Sequence, residues 1–275
     1  MRRLIIRPGA IGDCICALPA MQFLRSDYTE VWVASQNAPL VRFADRVRGI
    51  ASTGLDLVGI PGREPPFELL ETLAGFDSIV SWYGANRPEF RAAVAGLAFE
   101  FFPALPAASG GAIVHAADFY LRQVGGGNEP AVPRILCPSA PGGFAVIHPF
   151  SGSARKNWPL ERYRELARVL EARLPLRWCA GSEEALENAV RIDDLYELAC
   201  WLAGASIYIG NDSGITHLAA AAGAPAVALF GPTDPAIWAP RGERVRVVAT
   251  ARAGEPIGNL TVAAVLEAIV WLGVA

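Results

Sequence analysis

Gly210-Asn211-Asp212-Ser213-Gly214-Ile215-Thr216-His217-Leu218-Ala219-Ala220-Ala221-Ala222-Gly223-Ala224-Pro225 is the stretch on which the reading of this chain turns. It runs on through Ala226-Val227-Ala228-Leu229-Phe230 to Gly231-Pro232-Thr233-Asp234-Pro235. The pattern is strand, polar turn, helix, strand and turn: the apolar run Ser206-Ile207-Tyr208-Ile209 stops at a glycine, and Asp212 or Ser213 is a natural N-cap. The alanine-rich helix that follows stops at Gly223-Ala224-Pro225. Such a turn sets small residues and unpaired backbone N–H groups at a helix N-terminus. Helix dipole and donors together favour an anion there, and Ser213-Gly214 lets a phosphate approach. Taken alone, the stretch reads first as an ordinary capped helix in an α/β sheet.

A second stretch changes the balance. His148-Pro149-Phe150-Ser151-Gly152-Ser153-Ala154-Arg155-Lys156-Asn157-Trp158-Pro159 follows the apolar strand Phe144 to Ile147 and precedes a helix from Leu160 to Arg173, with Pro159 near its first turn. Two serines, a glycine, Arg155 and Lys156 thus stand at the carboxyl end of a strand, where open α/β sheets hold ligands. Two phosphate-suited loops on one sheet point to a nucleotide or nucleotide-sugar.

These blocks, HPxSGSxxKxWP and GNDSGxxHLAAAAGxPxxALFGPTDP, together with PGAIGD near the start, resemble glycosyltransferase family 9, which contains the ADP-heptose:lipopolysaccharide heptosyltransferases. The resemblance runs from Arg3 to about Pro240. It implies a GT-B fold, with two Rossmann-like doubly wound α/β domains facing across a cleft, inverting chemistry, no metal and no cofactor beyond the nucleotide-sugar substrate, most naturally ADP-linked.

Composition sets the outer bounds. At 275 residues the chain can hold one large or two modest domains, and 52% apolar residues can fill their cores. The net charge of −3 and the lack of a Lys/Arg run speak against a nucleic-acid partner. Five cysteines, Cys14, Cys16, Cys137, Cys179 and Cys200, include no CxxC and no zinc spacing with histidine, so buried thiols in a reducing cytosol are expected. Arg7, Pro8 and Asp13 interrupt the apolar core that a signal peptide needs. No run reaches the ~18 apolar residues of a spanning helix. A cytoplasmic protein is expected, and the resemblance adds a peripheral contact with the inner membrane.

Along the chain, Leu4–Arg7, Val31–Ala34 and Ser78–Trp82 read as strands, with helices over Asp13–Arg25, Phe67–Leu73 and Ala116–Val124, a short helix over Pro39–Ala44, and one or two strand pieces, broken by Gly54, within Val47–Ile60. The alternation predicts a parallel, doubly wound sheet. Ala92 to Ala107 reads as a core helix and turn; its rival is a membrane-facing wedge, since family members act on a lipid-borne acceptor. The loop-rich run from Gly125 to Gly143 holds the domain boundary, giving an acceptor-side domain of 1–139 and a nucleotide-sugar domain of 140–275. The second half repeats the rhythm, with a strand over Leu176–Ala180, a helix from Glu183, another over Asp193–Leu202 and a last helix over Thr261–Leu272. By resemblance, that helix packs back on the first domain.

Glycosyl transfer needs a base for the acceptor hydroxyl, positive groups for the leaving diphosphate, and alignment of the two substrates. No two aspartates form a DxD pair that would hold a metal. The positive load therefore falls on Lys156, with Arg155 beside it, and on the helix start at Ser213 and Gly214. Asp13, after the turn formed by Gly9 and Gly12, is either an N-cap or the base, and the resemblance implies the base. It also implies that His217 lies near the sugar or phosphate and Asp212 on donor-sugar hydroxyls. Glu183 would lie on the ribose, with Glu184 an equal candidate, and Ser151 and Ser153 on the donor phosphates. The loop from Gly59 to Phe67 has Arg63 as its one basic residue, so the acceptor stays open: a lipopolysaccharide core, another surface glycan or glycolipid, or a protein side chain. Two other classes remain beside a transferase: a nucleotide-sugar epimerase or hydrolase on the same fold, and a non-catalytic nucleotide-sugar binding protein.

Overall fold

The computed structural model describes residues 1–106, 113–138 and 142–273. They divide into two compact units, Met1–Ala112 with Ala116–Ala131, and Ile113–His115 with Val132–Ala275. The expected boundary at 139/140 lies outside the described residues.

The first unit runs β1 (Arg2–Arg7), α1 (Ile11–Phe23), β2 (Tyr28–Val33), β3 (Arg46–Gly49), α2 (Phe67–Ala74), β4 (Ser78–Ser81), α3 (Pro88–Ala93), β5 (Phe99–Phe101) and α4 (Ala116–Gln123). Its five strands are parallel in the order β3-β2-β1-β4-β5. Leu4, Ile5 and Ile6 are fully buried, as a central parallel strand covered on both faces requires. The strand order reverses between β1 and β4, so the loops after these two strands flank a crevice at the carboxyl edge of the sheet.

The second unit runs β6 (Ala145–His148), α5 (Leu160–Glu171), β7 (Leu176–Trp178), α6 (Leu195–Ala203), β8 (Ile207–Asn211), α7 (Gly214–Ala221), β9 (Ala226–Phe230), α8 (Pro235–Trp238), β10 (Val245–Ala249) and α9 (Val262–Trp271). Here the parallel order is β10-β9-β8-β6-β7. Reversal falls between β6 and β8, between the two loops that the sequence singles out. Along α5, Tyr163, Leu166, Ala167 and Leu170 form one buried stripe at helical spacing. It meets Ile147, Ile209, Val227 and Leu229 of the sheet and Val265 and Ile269 of α9 in one core. Burying each large aliphatic side chain there contributes about 1.5–3 kcal/mol. The last helix therefore has its buried face in the core of its own unit.

Three segments differ from the expectations. Phe99–Phe101, expected in a helix, is the edge strand β5, and α3 stops at Ala93. Phe99 and Phe101 each pack edge-on to buried Phe90, so aromatic packing on a pleated edge outweighs the helical pattern. No helix forms at Glu183: the segment from Gly181 turns back, with the Glu184 carboxylate accepting from the Gly181 N–H at 2.7 Å. The short helix expected over Pro39–Ala44 is instead a 3₁₀ turn over Ser35–Leu40, while Val47–Ile60 holds one strand, β3, within the one or two pieces expected, followed by two 3₁₀ turns at Ile50–Ser52 and Leu55–Leu57. Beyond the segments read from sequence, the strand β10 forms one edge of the second sheet, and the short helix α8 precedes it.

Candidate functional site

Three loops of the second unit meet on one carboxylate. Asp212, 7% exposed and just past the end of β8, has its Oδ2 2.6 Å from Lys156 Nζ and 2.6 Å from the hydroxyl of Thr233. Lys156 comes from the loop after β6, carried by a 3₁₀ turn over Ala154–Lys156 that starts at Ser153; Thr233 comes from the turn after β9. Asp212 Oδ1 has no hydrogen bond among the described residues. The Lys156 side chain stays 31% exposed, so its remaining N–H donors reach solvent.

Asn211 fixes this arrangement. It is fully buried. Its amide oxygen accepts from the Trp158 N–H at 3.0 Å and the Tyr163 hydroxyl at 2.9 Å, and its amide N–H donates to the Pro149 carbonyl at 2.8 Å. One side chain thereby ties both ends of the β6 loop to the end of β8. Burial pushes the Tyr163 hydroxyl far above its ordinary pKa of 10, so it remains a donor. Beside it, Ser213 caps α7, its Oγ accepting from the Thr216 N–H at 3.3 Å. The Thr216 hydroxyl donates to the Asn211 carbonyl at 2.5 Å and lies 3.1 Å from the Tyr208 hydroxyl. Gly210 is needed by close approach: a Cβ there would lie 2.4 Å from the Tyr208 oxygen. With Ser213 as cap, the N–H groups of Gly214 and Ile215 have no intrahelical acceptor. They stand beside Lys156 at a helix N-terminus, a combination suited to a diphosphate.

The other expected donor residues fall around this point. His217 is 6% exposed in the first turn of α7, its N–H donating to the Ser213 carbonyl at 3.2 Å. The Ser151 hydroxyl lies 2.8 Å from both the Ser153 carbonyl and the Asn157 side-chain oxygen; it holds the loop in shape. Glu183 is exposed, while Glu184 turns inward, 3.2 Å from Nε2 of buried His148. Burial raises the Glu184 pKa, but the hydrogen bonds from His148 and Gly181 and the charge of Arg191 outweigh it, so the carboxyl sits below its ordinary 4.5. Of the two, Glu184 is the carboxylate held inward beside His148, and Glu183 faces solvent. Thr233 and Asn211 were missed as working residues, although both lie inside the stretch that decides the fold.

In the first unit, Asp13 is the third residue of α1 rather than its N-cap, which is Ala10. Its Oδ2 accepts from the Ala10 N–H at 3.0 Å, and Oδ1 makes no hydrogen bond among the described residues. Gly9 holds φ +122°, and a Cβ on it would lie 2.9 Å from Asp13 Oδ2; only glycine lets the loop lie against the carboxylate. Gly12 lies in the first turn of α1. Burial pushes the neighbouring Cys14 thiol up to about 12, so it is no nucleophile. Among the described residues, no group of three or more His, Cys, Asp or Glu side chains is placed to hold a metal ion. No helix among them is long and apolar enough to cross a membrane.

The paired sheets, with their reversal points and end loops, define an α/β protein of the Rossmann-like, GT-B class. Solved structures agree. Over 99% of this chain and 98% of the other, E. coli ADP-heptose lps heptosyltransferase II superposes with a TM-score of 0.73 at 17% identity. E. coli heptosyltransferase WaaC with ADP gives 0.72 at 21% identity, covering 99% of this chain and 100% of that one. In sequence, residues 129–257 match the model of glycosyltransferase family 9 (heptosyltransferase). Lipopolysaccharide heptosyltransferase 1 of Escherichia coli strain K12 is 34% identical over 145 residues, 47% of this chain and 44% of that protein. The matched segment therefore spans less than half the length of that curated relative. All but the first three of the matched residues 129–257 lie in the unit that holds Lys156 and Asp212.

Proposed function

We propose that this protein is an inverting, metal-independent glycosyltransferase that moves heptose from ADP-heptose onto a lipopolysaccharide-core or other surface-glycan acceptor. The observation that carries the reading is the meeting of Lys156, Asp212 and the α7 N-terminus at the strand reversal of the second sheet. A cation and free backbone donors stand together there, as a leaving nucleoside diphosphate requires. Support for the choice of sugar and acceptor comes from the relatives, lipopolysaccharide heptosyltransferases in sequence and one structural neighbour holding ADP.

In the proposed reaction, Asp13 takes the proton of the acceptor hydroxyl as that oxygen forms a bond to the anomeric carbon. The bond from that carbon to the diphosphate oxygen breaks, and its electron pair leaves with ADP. A single displacement inverts the anomeric centre. Lys156 and the N–H groups of Gly214 and Ile215 meet the charge that grows on the leaving group, and act more strongly on the transition state than on the bound donor. Asp212 holds Lys156 in place and offers Oδ1 to a donor hydroxyl. Glu184 would accept from the ribose, and His217 lies one turn into the donor helix. A lipid-borne acceptor would draw the protein to the cytoplasmic face of the inner membrane.

The test is to incubate the protein with ADP-heptose with and without a heptose-free lipopolysaccharide, following ADP release and the sugar's fate. ADP release that depends on acceptor, with heptose found on it, supports transfer. Release without acceptor indicates a hydrolase or epimerase, and binding with no turnover indicates a binding protein; either result refutes the proposal. UDP- and GDP-sugars run in parallel test the base.

A further inference from the structure

Arg7 ends β1 and is 1% exposed. Its guanidinium makes no ion pair with any carboxylate among the described residues. It donates instead to two backbone carbonyls, Pro8 at 2.5 Å and Asp13 at 3.3 Å, and lies over the Tyr120 ring at 4.6 Å from its centroid. Its Nε is buried without a partner. A second buried polar side chain serves the same loop. Asn37, fully buried, donates to the Gly9 carbonyl at 3.2 Å and leaves its own Oδ1 unsatisfied. A buried cation facing backbone dipoles and one aromatic ring but no carboxylate, and two orphaned polar atoms around the short Pro8–Ala10 loop, are costs an apolar side chain of similar length would avoid.

We infer that Arg7 is a positioning residue for Asp13: its planar fork holds the carbonyls on both sides of the Gly9–Gly12 turn, so that the turn delivers the Asp13 carboxylate in one orientation. Oδ2 is then fixed on the Ala10 N–H and Oδ1 is left for the proton it takes. Asn37 holds the middle of the same turn. A guanidinium suits this task because its N–H donors point in fixed directions in one plane. Lysine would keep the charge but cannot hold two carbonyls in that geometry. The inference rests on the reading of Asp13 as the base.

The test compares wild type with R7M, R7K, D13N and the double variant R7M/D13N. One readout is heptose transfer to heptose-free lipopolysaccharide, and the other is amide hydrogen exchange of residues 8–14. The expected result is a fall in kcat of at least tenfold in R7M with KM for ADP-heptose within twofold of wild type. R7K should recover part of the loss, and R7M should lower the residual rate of D13N by less than twofold. Exchange at residues 8–14 should quicken in R7M, and less in R7K, whatever acceptor is used. Wild-type kcat in R7M overturns the inference. So does an undiminished R7M effect in the D13N background, or unchanged exchange at residues 8–14. D13N at a wild-type rate removes instead the reading of Asp13, whereas a slow D13N beside a normal R7M removes only the role of Arg7.

Discussion

The carboxyl edges of the two sheets solve different problems. At the first, a glycine turn is fixed from beneath by buried side chains, and one carboxylate, Asp13, is left with an open oxygen. At the second, charge meets charge: Lys156, Asp212 and Thr233 converge from three loops, and Asn211 ties two of those loops together. Under the proposed function the first edge needs orientation, since it would offer a single reacting group. Under the same function the second needs electrostatic strength and rigidity, since it would hold a diphosphate whose charge changes during the reaction. The family model matches residues 129–257, the second edge, and does not extend over the first.

Asp13→Asn should produce the largest change. Transfer should fall roughly 10²–10⁴-fold, the usual loss for an acid–base group. ADP affinity should remain within twofold, because the second edge is untouched. A near-wild-type rate would leave Asp13 as a helix-start residue and erase the contrast between the two edges.

Asn211→Ala probes the rigidity of the second edge. It strands the Trp158 N–H, the Tyr163 hydroxyl and the Pro149 carbonyl, each an unpaired buried group costing about 1–3 kcal/mol. Urea unfolding should show a loss of about 3 kcal/mol, with ADP binding weakened alongside. A loss below about 1 kcal/mol would mean that the loops are held by other contacts.

A smaller effect is expected at Glu184. Its carboxyl is held below 4.5 in the folded protein by His148 and Gly181, so its stabilising contribution is present above that value and fades as pH falls through the lowered pKa. The melting temperatures of wild type and Glu184→Gln should differ most at neutral pH and converge in acid below 4.5. A gap that widens in acid would reverse the assigned sign. The smallest expected effect is that of chelator: with Lys156 and backbone N–H groups meeting the diphosphate, transfer should persist in EDTA. A rate that collapses and returns with magnesium or manganese would reassign that task to a metal.

Much of the second edge is legible in the sequence because its parts are local. Ser213 caps α7 as its place before the alanine run suggests, and Lys156 follows a strand in a serine-glycine loop. What escaped is non-local. Asn211 and Thr233 act through partners 53 and 21 residues away, which no spacing reveals. Glu184 rather than Glu183 points inward because the chain turns at Gly181 instead of starting a helix. In the first unit, alternation gives the parallel sheet, but three phenylalanines close together hide the strand β5 inside a helical pattern. Arg7 reads as the polar end of a strand until its burial is known.

The most direct test of the central claim is calorimetric titration of ADP into wild type and Lys156→Ala. If Lys156 neutralises the diphosphate, the variant loses a charge-assisted hydrogen bond worth roughly 1.5–3 kcal/mol. Wild type should bind one ADP per chain, and Lys156→Ala should bind it about 10- to 100-fold more weakly while remaining folded. Equal affinity in a folded Lys156→Ala protein, or no binding of ADP by wild type, would contradict the assignment of the second edge as a nucleoside-diphosphate site.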